Sequence, residues 1–99
     1  MIAIIFTSYV KKENQDAFLI PAKRHAELSK KDVGCVRFDV LSPCGDEVKF
    51  IEIWQNADCL DLHAQRSAKG EEAPVMGKLR YDKKMEKFML ELYGPESNK

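Results

Sequence analysis

The sequence predicts a single α+β domain built on one antiparallel sheet. Two observations carry this. Four segments rich in β-branched and aromatic residues are separated by segments of helical periodicity, in the order β-α-β-β-α-(α)-β. Turn chemistry at Ser42-Pro-Cys-Gly-Asp46 joins the second and third strands as an antiparallel hairpin. A chain of 99 residues makes one domain, and it buries roughly two-thirds of its unfolded surface, a thin core that a partner chain would help.

The first strand, Ile2 to Val10, is apolar on both faces and so is expected in the sheet centre. Asn14 is the expected cap of the helix that follows. Phe18, Leu19, Ala22, Ala26 and Leu28 supply its apolar stripe, and Pro21 predicts a kink or a restart. Gly34 closes the region. Val36 to Leu41 and Val48 to Trp54 are the second and third strands. Asn56 or Asp58 caps a second helix to about Ser67, Lys69-Gly70 breaks it, and Pro74 suits the first turn of a short third helix reaching about Tyr81. Met85 to Tyr93 reads as the last strand, stopped by Gly94-Pro95. The domain is expected over 1–95, with 96–99 a frayed tail. This is the split βαβ, or ferredoxin-like, order, which hosts many functions and names none.

Composition narrows the classes. A hydrophobic fraction of 44% argues against disorder. Lys plus Arg and Asp plus Glu are both 16, so no global charge favours nucleic acid or an anionic membrane. Ile2 to Phe6 is too short to span a bilayer, and no leader pattern opens the chain. Cys35, Cys44 and Cys59 are odd in number and lack CxxC spacing, which predicts free thiols and a cytoplasmic location. Two distant histidines predict no metal site, and no phosphate-binding glycine loop or nucleophile elbow is present.

The residues with chemical potential cluster on the third strand and the helices. Period-two alternation puts Phe50, Glu52 and Trp54 on one face. A carboxylate between two aromatics needs a partner or a raised pKa. Glu52 is therefore either salt-bridged to Arg37 or a lysine, or part of a site. His63 shares a helix face with Leu60, and reads as a hydrogen-bonded core histidine or a functional base. Trp54 reads as core or as the border of a cavity with His63. His25, beside Lys23 and Arg24, reads as a solvated face or as a second titrating group. Arg37 is placed to pair with Glu52 or hold an anionic oxygen, and Tyr9 is core or a cavity hydroxyl.

The stretch from His25 to Leu41, ending Gly34-Cys-Val-Arg-Phe-Asp-Val-Leu41, resembles the EPGCLRFDVL segment of antibiotic biosynthesis monooxygenase domains. Phe50-Ile-Glu-Ile-Trp54 followed by Leu60-Asp-Leu-His63 resembles the family's EVW…ALxxH element. The resemblance implies a dimeric α+β barrel with a small apolar cavity in each monomer. It implies a small, aromatic substrate oxidised with O2, and no flavin, haem or metal cofactor. By residue, it puts Trp54, Glu52 and His63 at the cavity and His25 and Arg37 near its mouth. His63 or His25 would remove a phenolic proton, Trp54 and Phe50 would stack on the ring, and Arg37 would stabilise the phenolate. Asp32-Val33 stands where the motif has Glu-Pro, and Arg66-Ser-Ala68 where a further histidine often stands, which argues against the haem-degrading relatives. The same segment is similar to autoinducer-processing members, which implies as an alternative an isomerase of a small phosphorylated or polar carbonyl compound. A non-enzymatic dimeric binding or stress module is the third reading. An apolar cavity favours the first, Arg37, His25 and a lysine converging on one point the second, and a filled cavity the third.

Overall fold

The computed structural model of the chain describes residues 1–91. In chain order the elements are β1 (Ile2–Tyr9), α1 (Lys12–Ser29), β2 (Cys35–Val40), β3 (Glu47–Trp54), α2 (Ala57–Ala68), α3 (Glu72–Leu79) and β4 (Asp82–Met89). The four strands form one antiparallel sheet in the order β2-β3-β1-β4, with β1 central as its two-faced apolarity requires. The expected element order holds throughout. The expected strand stop at Gly94-Pro95, the domain end at residue 95, Tyr93 and the tail 96–99 lie outside the described residues.

Register divides the sheet into two unlike faces. Trp54 pairs with Ile2, Glu52 with Ile4 and Phe50 with Phe6, and all of them face the helices. Phe38 joins this face from β2 and Met85 from β4. Phe18, Ala22 and Ala26 of α1, Cys59 of α2 and Met76 of α3 close the core over it. The opposite face carries Ala3, Ile5, Ile51, Ile53 and Phe88, flanked by Lys49, Arg37 and Asp39. No helix of the described residues is long and apolar enough to cross a membrane.

Three local expectations are corrected. Helix α1 begins at Lys12, so Asn14 lies inside the first turn and its N–H donates to the Lys11 carbonyl at 2.8 Å instead of its side chain capping. Only two residues, the fully buried Val10 and then Lys11, connect β1 to α1. Gln15 then ties the turn down, donating from Nε2 to the carbonyls of Val10 at 3.0 Å and Gly45 at 2.7 Å. Pro21 does not break α1, which runs unbroken through it. The ring sits in the buried stripe, so the packing of that face offsets the one intrahelical hydrogen bond that proline forfeits. Strand β4 starts at Asp82, three residues before Met85, because the Tyr81 N–H already bonds the Tyr9 carbonyl at 2.9 Å and the ladder continues from there. The lysines at 83 and 84 hide this strand start in the sequence.

Candidate active site

Between the sheet and the helices lies a cavity of about 310 Å³. Ile4, Phe6 and Phe50 line it from the sheet, and Leu60, Ala64 and Met76 from the helices, so most of its wall is apolar. Glu52, His25 and His63 enter this wall at one end. An apolar pocket with a few convergent polar groups of perturbed acidity is the usual form of a small-molecule site.

His63 is held by three segments. Asn56 caps α2, its Oδ1 accepting the Cys59 N–H at 2.9 Å. Gly34, in the left-handed region at φ +77°, lets the loop after α1 lie against α2, and a Cβ there would collide with the Cys59 sulfur. The Gln55 N–H donates to the Gly34 carbonyl at 2.9 Å and fixes that approach. Asp32 in this loop thereby reaches α2. His63 Nδ1 donates to Asp32 Oδ2 at 2.8 Å, and Arg66, one turn along α2, donates to the same carboxylate from Nε and Nη2 at 3.0 Å each. Arg66 Nη2 also donates to Ser29 Oγ at 3.1 Å, and Ser29 Oγ donates to the His25 carbonyl at 2.6 Å. Nδ1 therefore carries the proton of His63, and Nε2 keeps its lone pair.

Burial sets the charges. Burial alone would raise the Asp32 carboxyl, but the hydrogen bonds from Arg66 and His63 outweigh it and hold the group below the usual carboxylate range. Burial lowers the pKa of His63, and the Asp32 bond only partly restores it. Burial lowers His25 to about 4, helped by His63 and Arg66, so this imidazole is neutral at pH 7. Glu52 is pushed up to about 7 by burial, against the single hydrogen bond it accepts from Trp54 Nε1 at 3.0 Å. It makes no salt bridge to Arg37 or to a lysine among the described residues.

The rings stack into one cluster. His25 meets Phe38 and Phe50 edge-on at centroid distances of 5.2 and 5.6 Å, and lies 5.5 Å from His63. Trp54 lies 4.5 Å from His63. The solvated-face reading of His25 is overturned: positions 18, 22, 25, 26 and 29 form the buried stripe of α1, and Lys23 and Arg24 face outward. Trp54 is fully buried behind His63 and is not in the cavity wall. Arg37 lies on the open face, where Nε pairs with Asp39 at 2.6 Å, because it alternates with Phe38 along β2 and pairs with Ile53 of the open face. Tyr9, at the end of β1, packs near Tyr81 at 6.3 Å and lies outside the cavity.

Sequence reasoning missed Asp32 as the partner of His63, Arg66 as the second donor to Asp32, and Arg80 and Lys83, which also line the cavity. The spacing of His63 and Arg66, three residues apart on one helix, was a usable signal. The pairing of residues 32 and 63 had none, since it is a long-range contact. Among the described residues, no group of three or more His, Cys, Asp or Glu side chains is arranged to hold a metal.

A helix-covered antiparallel sheet, with a largely apolar cavity between its two layers and a carboxylate-oriented histidine in the cavity wall, defines a small α+β protein with room for a small molecule. Residues 1–70 match the antibiotic biosynthesis monooxygenase family, and the chain belongs to it. No protein of curated function matches the chain. Among solved structures, a conserved protein of Bacteroides thetaiotaomicron is 27% identical, with 88% of this chain and 94% of that one covered at a TM-score of 0.78. A Nitrosomonas europaea protein assigned to antibiotic biosynthesis monooxygenases is 17% identical, with 90% and 97% covered at 0.82. SnoaB, a cofactor-independent oxygenase from Streptomyces nogalater, is 16% identical, with 95% and 96% covered at 0.77. The last two likenesses are likenesses of fold.

Proposed function

We propose that this protein is a cofactor-independent monooxygenase that oxidises a quinol or another small aromatic compound with O2. The observation that carries the reading is His63 in the wall of a largely apolar cavity of about 310 Å³, its Nδ1 held by Asp32 at 2.8 Å from behind that wall. A neutral imidazole with one nitrogen fixed by a carboxylate is a base ready to take a phenolic proton on the other. Phe50 and Phe6 offer ring surface to an aromatic substrate. His25 and Glu52 stand at the same end as further proton carriers.

The chemistry balances without an added reductant. His63 takes the phenolic proton, and the phenolate gives one electron to O2. The aryloxyl radical and superoxide join through a new carbon–oxygen bond. The resulting peroxide anion takes back the proton from His63 to become a hydroperoxide, and loss of the ring C–H proton together with hydroxide, as water, leaves a carbonyl. A phenol C–H becomes C=O, one oxygen atom enters the product and the other leaves as water.

Arg37 and Tyr9, both remote from the cavity, have no part in this reading, and Trp54 acts by backing His63 instead of stacking on the ring. The isomerase reading needed Arg37 to converge with His25, and the empty volume of the cavity speaks against a vestigial module. The apolar open face of the sheet, centred on Ile5, Ile51 and Ile53, is the proposed surface of a homodimer. The free thiols of Cys35, Cys44 and Cys59 suit a cytoplasmic setting. Oxygen uptake with a panel of reduced quinols and polyphenols tests the reading, with His63→Ala and Asp32→Asn proteins alongside. Uptake above the autoxidation blank, lowered about 100-fold by His63→Ala, is expected. No uptake across the panel would sink it.

A further inference from the structure

The cavity has a second polar end. Arg80, in the two-residue link between α3 and β4, and Lys83 of β4 both line it. The Arg80 guanidinium lies over the Phe6 ring, 5.4 Å from its centroid, and Nη1 donates to Ser8 Oγ at 3.4 Å, a long contact. Neither cation forms an ion pair among the described residues. Burial lowers the pKa of Arg80, with no carboxylate to oppose it. An aromatic ring and one hydroxyl are thin compensation for a half-buried guanidinium, whose five donors suit a planar anion.

The two ends are separated by the ring floor. Glu52 pairs with Ile4, whereas Lys83 pairs with Ser8, the residue that Arg80 contacts. Ser8 is four steps along β1 from Ile4, roughly 13 Å at the rise of an extended strand. Phe6 and Phe50 occupy the row in between. Nothing cationic bears on Glu52: burial and the Trp54 bond account for its shift. Arg80 and Lys83 are therefore not the counter-charges of the proton-handling end.

We infer that Arg80 and Lys83 form an anion subsite, and that the ligand is an aromatic ring system carrying a carboxylate or phosphate at the end opposite His63. The inference deepens the reading of the cavity as an aromatic site and rests on it for the ring. It does not rest on the oxidation. The subsite would orient the ring, directing its phenolic end towards His63 by pairing its anionic end with Arg80.

Isothermal titration of the full-length protein with 2-naphthol, 2-naphthoate and 2-naphthyl phosphate tests this with no reaction required. The expected result is that at least one anion binds about tenfold or more tightly than 2-naphthol, as hydrogen bonds to a charged group allow. Which anion wins assigns the substituent. Arg80→Gln is expected to bring the anion-to-neutral ratio close to one, and Arg80→Lys to keep part of it. Lys83 is exposed, so Lys83→Gln guards against an Arg80 variant that does not fold, and a ratio lowered about threefold is expected there. A wild-type ratio near one, a ratio that neither Arg80→Gln nor Lys83→Gln lowers, or binding of none of the three would overturn the subsite. An Arg80-dependent ratio in a protein that oxidises no quinol would retire the oxygenase and leave the subsite standing. Quinol oxidation with a ratio near one would do the reverse.

Discussion

On the helix-covered face of the sheet, Glu52 is buried with a single indole N–H for company, and the buried His25 and His63 line the same cavity. On the open face of the same strands the polar side chains are satisfied differently. Lys49 reaches the buried Thr7 Oγ1 at 2.8 Å, while Arg37 pairs with Asp39 and Lys84 approaches Glu86 at 3.9 Å beside solvent. Adjacent residues of one strand, Ile51 and Glu52, thus belong to two chemistries. The difference teaches that alternation decides more than burial. It gathers the buried titratable groups on one face and leaves an apolar strip between charges on the other.

The comparison is broken most severely by removing the buried ring cluster. Trp54→Ala empties the space behind His63, and a fully buried aromatic truncated to Ala costs about 3–5 kcal/mol. Urea denaturation is expected to show that loss, a large share of the stability of a domain this small. A loss below about 1 kcal/mol would mean that Trp54 is not the keystone of this face.

Acidity sharpens the comparison next. Glu52 has a folded pKa of about 7 against an ordinary 4.5, so the folded state holds the extra proton and this contribution to stability fades as pH rises from about 4.5 through 7. His25 has a folded pKa of about 4 against 6.5, so the unfolded state holds the extra proton and stability fades as pH falls from about 6.5 towards 4. Between those limits the two slopes oppose each other. Glu52→Gln removes one of them. Its stability is expected to rise steadily from about pH 4 to 6.5, and to exceed the wild type at pH 8 by on the order of 1–2 kcal/mol. Denaturant midpoints across pH check this, and a variant whose profile parallels the wild type would contradict the buried-carboxyl account.

The smallest effect on the folded monomer is expected on the other face. Ile51→Lys adds a charge where solvent already reaches, so monomer stability should change by less than about 1 kcal/mol. Self-association measured by sedimentation should nevertheless be lost, because a lysine at the centre of an apolar interface would have to be desolvated. A variant that associates as the wild type does would remove the open face as the dimer surface.

Much of this frame was legible in the sequence. The order of elements followed from periodicity, and Phe50, Glu52 and Trp54 fell on one face because strands alternate strictly. Helix α1 was harder, since Lys23 and Arg24 beside His25 mimic a solvated face, and only the spacing from Phe18 and Ala22 shows that His25 turns inward. Asp32 was visible as a departure from Glu-Pro and not as the partner of His63. That contact crosses 31 positions and depends on Gly34 letting a loop lie against α2. Lys83 was missed because a strand of mostly charged residues carries no burial pattern, and Arg80 because the link it sits in is brought to the cavity only by the pairing of β4 with β1.

The central claim is that His63, oriented by Asp32, is the base of an oxygen-consuming reaction in this cavity. The most direct test is the initial rate of oxygen uptake against pH for the wild type and His63→Ala with the best quinol of the panel, after subtraction of the autoxidation blank. The wild-type rate should rise with pH and level off below the ordinary histidine value of 6.5, since burial lowers the pKa of His63. The His63→Ala rate should be about 100-fold lower and lack that inflection. A His63→Ala protein with the wild-type rate and profile would contradict the claim.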